Sequence, residues 1–266
     1  MNNLRSLYNV FRDTRKAARE QATFAVVGDA SSQLDRLVAL TGAQTSMRGA
    51  EILLTVTGSR ATLSGRGIEN VSDFDLSELT GEGAAGLIVK ALEEDYLVPL
   101  AKGYPFFRRA VCNEIIRNNA RQNAVVGALP IPGADLPVMT ANQGRMVLLI
   151  AAAYGEELSF QRARELFGVL AAGFGLRAVG RQVAKFVPVA GWAASAALGY
   201  AGTLAMGRAT VLYFERGHQK VGAEEMERIR ERAAREAKGF VDRMRERRAA
   251  KGKEAARNEA DRRENP

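Results

Sequence analysis

The chain is poor in the residues that most chemistry needs. Of its 266 residues one is cysteine, Cys112, and one is histidine, His218. A single cysteine excludes an internal disulfide and any cysteine-cluster metal site. A single histidine leaves serine–histidine or cysteine–histidine catalysis almost nothing to work with. Cys112 lies in an apolar helical pattern and reads as a small packing residue. His218, in Arg-Gly-His-Gln after an apolar segment, reads as a solvated helix end. No lysine occurs between Lys16 and Lys90. Asn2 to Glu20 is charged throughout and lacks an apolar centre, so a secretory signal is not expected there. With no catalytic constellation, metal-ligand set or cofactor motif to name, the expectation is a protein without enzymatic activity and without a cofactor.

What the chain does have is apolar mass and positive charge. Hydrophobic residues make up 47% of it, enough for a packed core, and the net charge of +8 favours acidic partners, whether anionic lipid, nucleic acid or an acidic protein surface. Leu4, Leu7, Tyr8 and Phe11 recur at helical spacing among Arg5, Arg12, Arg15, Lys16 and Arg19. Residues 1–22 therefore read as a basic amphipathic helix, able to lie on an anionic membrane or to pack on its own domain. Residues 23–85 read as a small α/β unit. It holds a strand at Phe24–Val27, a helix with Leu34, Leu37, Val38 and Thr41 on one face, strands in Ala50–Gly58 and Ala61–Gly65, and a polar connector over Asn70–Ser77.

The start of that unit, FAVVGDASSQLDRLVALTG, has the strand–turn–helix outline of a P-loop. A working P-loop needs Gly-x-x-x-x-Gly-Lys-Ser/Thr, whose amides and lysine hold the phosphates. After Gly28 the second glycine and the lysine are missing, and Asp29 and Asp35 would set negative charge beside the phosphates. The switch and base-reading motifs of a GTPase are absent as well. Nucleotide binding is not expected.

From 86 to 218 the composition is helical and apolar. Helices are expected over Gly86–Ala101, Phe106–Leu129, Val138–Tyr154 (with Gly155 as its cap), Leu158–Phe174 and Leu176–Phe186. A break falls at GALPIPGADLP. Phe186–Gly207 runs uncharged and has the length of a membrane span, about 20 residues being needed, although Ala and Gly dominate it. The small residues would suit close helix approach in a bilayer or in a soluble bundle. Residues 219–266 read as a charged helical tail, solvated over Glu225–Ala250 and frayed over its last dozen residues. Its glutamates interleave with its arginines, which argues against nucleic acid as a partner.

Three further features frame the function. Asp135, Thr140, Asn142 and Gln143 lie in apolar surroundings beside the proline-rich break, as a polar turn or pocket or as local helix caps. Arg177, Arg181 and Lys185, spaced by four, form one stripe beside the uncharged run, for lipid or an acidic partner or as a solvated face. Third, Pro130–Asp135, Pro137, Thr140, Gln143, Met146-Val147 and Tyr154-Gly155, continuing through Arg162–Gly191 and Gly199–Phe214, resemble the uncharacterised family DUF697. That family is found behind the G domain of Era-like bacterial GTPases and in stand-alone membrane proteins. The resemblance covers roughly residues 105–217. It implies membrane association and a link to GTPase systems, and it makes residues 23–85 resemble an eroded G domain; it implies no reaction.

The expected fold is therefore α+β, mainly a helical domain of hairpins that can embed in a membrane, after a small degenerate α/β unit. The expected function is a non-enzymatic, membrane-associated protein linked to a GTPase or envelope-stress system. The expected place is the cytoplasmic membrane of a bacterium, with both termini cytoplasmic. The alternative is a soluble cytoplasmic adaptor that binds a protein partner through an apolar bundle.

Overall fold

The computed structural model describes residues 21–68, 70–79, 83–129, 135–156, 176–186 and 191–264. The N-terminal amphipathic helix, the helix expected over Leu158–Phe174 and the centre of the proline-rich break lie outside these residues. The fold is α+β, with one four-stranded sheet and a predominance of helix.

Strand β1 (Phe24–Gly28) leads into helix α1 (Ser32–Thr41), as the opening outline requires. Ser31 caps that helix by accepting the Leu34 amide at 3.2 Å, and Leu37 and Thr41 are its buried face. The chain then returns along β1, where Gln44 donates to the Phe24 carbonyl at 3.0 Å and accepts from the Val26 amide at 2.8 Å. Strand β2 (Ile52–Thr57) pairs with β1 in parallel and buries alternate residues Ile52, Leu54 and Val56. Strand β3 (Arg60–Gly65) folds back on β2 through a two-residue loop.

The expected polar connector is instead a strand and a short helix, β4 (Ser72–Asp75) and α2 (Leu76–Leu79). An edge strand needs no apolar run, because one side of its ladder faces water. The Thr62 hydroxyl donates to the Asp73 carboxylate at 2.6 Å across β3 and β4. Asp75 then accepts from the Ser77 amide at 2.9 Å and its hydroxyl at 2.6 Å, which starts the helix and lowers the carboxyl's pKa. The likeness to a G domain is not confirmed, since the one parallel pair β1–β2 is followed by an antiparallel meander.

The helix expected over Gly86–Ala101 is two, α3 (Ala84–Lys90) and α4 (Glu94–Gly103). They part where Leu92 bridges Ile68 and the Glu93 amide donates to Gly67 at 2.9 Å. Tertiary pairing with the segment that follows β3 overrides a helical pattern there.

Helices α5 (Pro105–Gly127), α6 (Asp135–Ala153), α7 (Leu176–Phe186), α8 (Trp192–Glu215) and α9 (Ala223–Glu264) make the bundle. Helix α6 begins at Asp135, before the Val138 expected, so Pro137 falls in its first turn, where a missing amide costs least. Gly155 ends it in the left-handed region (φ 82°), with the Glu156 amide bonded to Ala151.

The uncharged run became the centre of this bundle. Helix α8 touches α5, α6, α7 and α9 and buries most of its length. No helix among the described residues is long and apolar enough to cross a membrane. The span expected from Phe186–Gly207 is not supported: the described part of that run lies in α8, where its alanines and glycines bring neighbouring helices close and keep its mean hydropathy below that of a spanning helix.

The charged tail is corrected too. Helix α9 buries Met226, Ile229, Ala233, Ala234, Ala237 and Val241 as a stripe against α8 and runs helical to Glu264. Its exposed faces carry the ion pairs Arg228–Glu224, Arg235–Glu231 and Lys238–Asp242, each at four-residue spacing. Sheet and bundle share one hydrophobic core.

Candidate functional site

Where α5, α6 and α8 meet beside the break, the apolar interior holds a polar layer. Asn123, fully buried, donates through Nδ2 to the Thr203 hydroxyl at 2.8 Å and to the Met139 carbonyl at 3.5 Å. Its Oδ1 accepts from Asn142 Nδ2 at 3.0 Å. Gln143 Nε2 reaches the same Thr203 hydroxyl at 3.3 Å, and that hydroxyl donates to the Gly199 carbonyl at 2.8 Å. The layer has the form of a satisfied network that fixes three helices in register rather than an open polar pocket.

The sequence-derived polar group is divided by this geometry. Asn142 and Gln143 join the layer, Thr140 lies exposed on α6, and Asp135 is the first residue of that helix. Asn123 and Thr203 were not singled out from the sequence. The available signal was Asn119 and Asn123 at four-residue spacing on the otherwise apolar face of α5, since a buried amide must find a partner. Close helix approach accompanies the layer: a Cβ on Gly199 would lie 2.6 Å from the Asn123 carbonyl oxygen.

Arg177, Arg181 and Lys185 all fall on α7. Arg181 and Lys185 are exposed and form no ion pair with another described residue. The opposite face of α7 buries Val179, Gln182 and Val183, and Gln182 bonds Glu227 of α9. Arg181 and Lys185 therefore lie on the outer face of a helix packed on the bundle.

At the far end of the bundle the lone cysteine and histidine fall near one another's neighbours. The Arg108 guanidinium stands 5.3 Å over the Tyr154 ring, Tyr154 stacks on Phe214 at 5.4 Å, and its hydroxyl donates to Glu215 at 3.3 Å. His218, with φ 70°, meets Glu156 at 2.9 Å and sets its ring edge-on to Tyr213 and Phe214. Cys112 is fully buried, and burial pushes its thiol up to about 12, against the pull of Arg108. Burial also raises the Tyr154 phenol, helped by Cys112 and Glu215. A thiol held protonated is a poor nucleophile. Among the described residues no group of histidine, cysteine, aspartate and glutamate is placed to hold a metal ion.

At the opening turn, Gly28 has φ 155°, and a Cβ there would lie 2.1 Å from the Val56 carbonyl oxygen. The glycine is required by the close approach of β2, a reason that involves no phosphate.

The fold and this interior define a helical-bundle protein that carries a small mixed sheet and a buried polar layer between three of its helices. A family profile described as a domain of unknown function, DUF697, matches residues 106–239, and the chain belongs to that family. The match begins at the start of α5 and runs into α9, so all of the buried stripe of the charged helix except Val241 lies within it. No curated protein and no solved structure matches the chain.

Proposed function

We propose that this chain is a non-enzymatic binding protein that docks on an anionic membrane surface from one side. The observation that carries this reading is the composition of one end of the bundle. Of the large apolar side chains left exposed, Val125, Leu129 and Val138 flank the α5–α6 break. The N-terminus of α8 is at the same end, because Gly127 abuts Ser195. Lys185 precedes that N-terminus by a few residues, and Arg248 of α9 lies over Trp192 at 4.1 Å. Residues 243–253 add four arginines and two lysines against Glu246. An apolar tip ringed by cations is suited to the headgroup region, where each basic residue near an anionic surface contributes about 1 kcal/mol.

Docking of this kind needs no spanning helix, and it leaves both termini on one side, the cytoplasmic side in this reading. A GTPase is the protein partner that the family resemblance implies. A soluble adaptor is the second reading, favoured by the burial of α8 inside the bundle.

Flotation with vesicles separates the two. Vesicles rich in phosphatidylglycerol should carry the protein, neutral ones should not, and salt should weaken the attachment. Val125→Ser/Leu129→Ser/Val138→Ser and Arg177→Gln/Arg181→Gln/Lys185→Gln should each reduce binding while leaving the fold intact. A protein that ignores anionic vesicles is an adaptor.

A further inference from the structure

Helices α5 and α9 each pack on the C-terminal half of α8, and a cleft of about 450 Å³ opens between them. Its apolar part is Val211 and Leu212 of α8 with Ile229 of α9. Arg109 of α5, Arg208 of α8 and Arg228 and Arg232 of α9 surround it, against two carboxylates, Glu225 and Glu236.

Those carboxylates are already engaged. Arg216 forks onto Glu225 at 2.5 and 2.6 Å, and Glu236 holds Arg208 with both oxygens at 2.8 Å. Arg208 uses Nη2 alone for this, so Nε and Nη1 remain as donors. Arg109 meets Glu215 only at 3.7 Å, beyond hydrogen-bond range, and its side chain is 73% exposed. Arg232 is exposed and forms no ion pair with another described residue. The cleft therefore presents unspent guanidinium donors over an apolar floor.

Its shape narrows the occupant. The α9 wall runs from Glu225 to Glu236, about 16 Å of helix or three turns. A second cavity of about 560 Å³ shares Arg109 and Asn113 and extends over α5 toward α3, past Phe106, Lys90 and Arg117. The pair is longer than a small molecule needs, and two helices flanking a third leave room for a fourth.

We infer that this cleft docks an acidic amphipathic helix of a partner protein, with its carboxylates on the arginine rim and its apolar side chains on Val211, Leu212 and Ile229. The surface lies at the opposite end of α5 and α8 from the lipid-facing tip, so it stands whether or not the protein binds membranes.

The test uses the whole protein and a fluorescent peptide of about four helical turns, glutamate on one face and leucine on the other, read by anisotropy. Two control peptides replace glutamate by lysine or leucine by serine. The glutamate–leucine peptide should bind, and Arg109→Gln/Arg232→Gln should raise its Kd by about tenfold or more. Arg181→Gln/Lys185→Gln, on another face, should change it by less than about twofold. Neither control peptide should bind comparably. Circular dichroism confirms that both variants remain folded. Failure of the acidic peptide to bind, equal losses in both double variants, or equal binding of the serine peptide would each overturn the inference, the last two by reducing it to general attraction to a basic surface.

Discussion

Cys112 shows how a residue that is chemically able becomes chemically silent. Its thiol is fully buried on α5, and its pKa rises from 9.0 to about 12, chiefly through burial. Below pH 9 the folded and unfolded chains both hold the proton, so this group leaves stability independent of pH. Between 9 and 12 the unfolded chain loses the proton and the folded chain keeps it. Stability should therefore fall as pH rises through that window, by up to roughly 1.4 kcal/mol per pH unit from this group. The raised Tyr154 phenol acts in the same direction at still higher pH. Urea denaturation at about pH 8 and about pH 10.5 should show the loss, and Cys112→Ala should flatten it while costing some packing. Thiol reagents should find Cys112 only after unfolding. The packing reading of this residue was available from the sequence, because its apolar neighbours recur at helical spacing. The contacts with Tyr154 and Glu215 were not, since these residues lie just past α6 and at the end of α8, far from Cys112 in sequence.

Elements were legible where their pattern was self-contained. The alternation Ile52, Leu54, Val56 marks a strand whatever surrounds it, and Ser31 and Gly42 bound α1 by chemistry local to that helix. Patterns completed by a distant partner were not legible. Strand β4 is polar, the gap between α3 and α4 depends on Ile68, and the inner stripe of α9 is half alanine, set among charges. Helix α8 was legible as apolar but not as to its surroundings, because a bilayer and a bundle interior accept the same small residues. Its glycines separate two roles that a hydropathy profile merges. A Cβ on Gly199 would press on the Asn123 carbonyl at 2.6 Å, whereas one on Gly202 would meet nothing nearer than Gln143 at 3.9 Å. Gly199→Ala should then destabilise by about 1–3 kcal/mol as α5 and α8 are pushed apart. Gly202→Ala should be neutral or stabilising by up to about 1 kcal/mol, from helix propensity. Thermal melts of the two variants beside the parent distinguish these outcomes. Equal effects would mean that the α5–α8 crossing is looser than its geometry indicates.

At the scale of the molecule, the family domain and the sheet that precedes it are joined by more than the chain. The DUF697 match starts at Phe106, but its neighbour Phe107 is fully buried between residues that lie before that point. Phe24 of β1 meets the Phe107 ring edge-on at 5.2 Å and the Tyr104 ring at 5.8 Å. The Tyr104 hydroxyl accepts from the Phe24 amide at 2.9 Å and donates to its carbonyl at 3.2 Å, tying the start of β1 to the start of α5. Helices α3 and α4 cover the rest of that half of α5, and the core is continuous from Phe24 through Val111 to Ala205. Composition drew a boundary near residue 86, where sheet-forming sequence gives way to helix; packing runs across it. A fragment of residues 105–240 would expose Phe107 and its neighbours, and each large apolar side chain returned to water forfeits about 1.5–3 kcal/mol. Against a whole-domain stability of about 5–15 kcal/mol, a few such losses are decisive. The full chain should melt in one transition, seen alike by far-ultraviolet dichroism and by Trp192 fluorescence. The fragment should keep helix but lose the sharp transition and bind a hydrophobic dye, the behaviour of a bundle without fixed packing. A fragment that melts as cooperatively and as high as the parent would show instead that the sheet is an attachment, with the bundle self-sufficient.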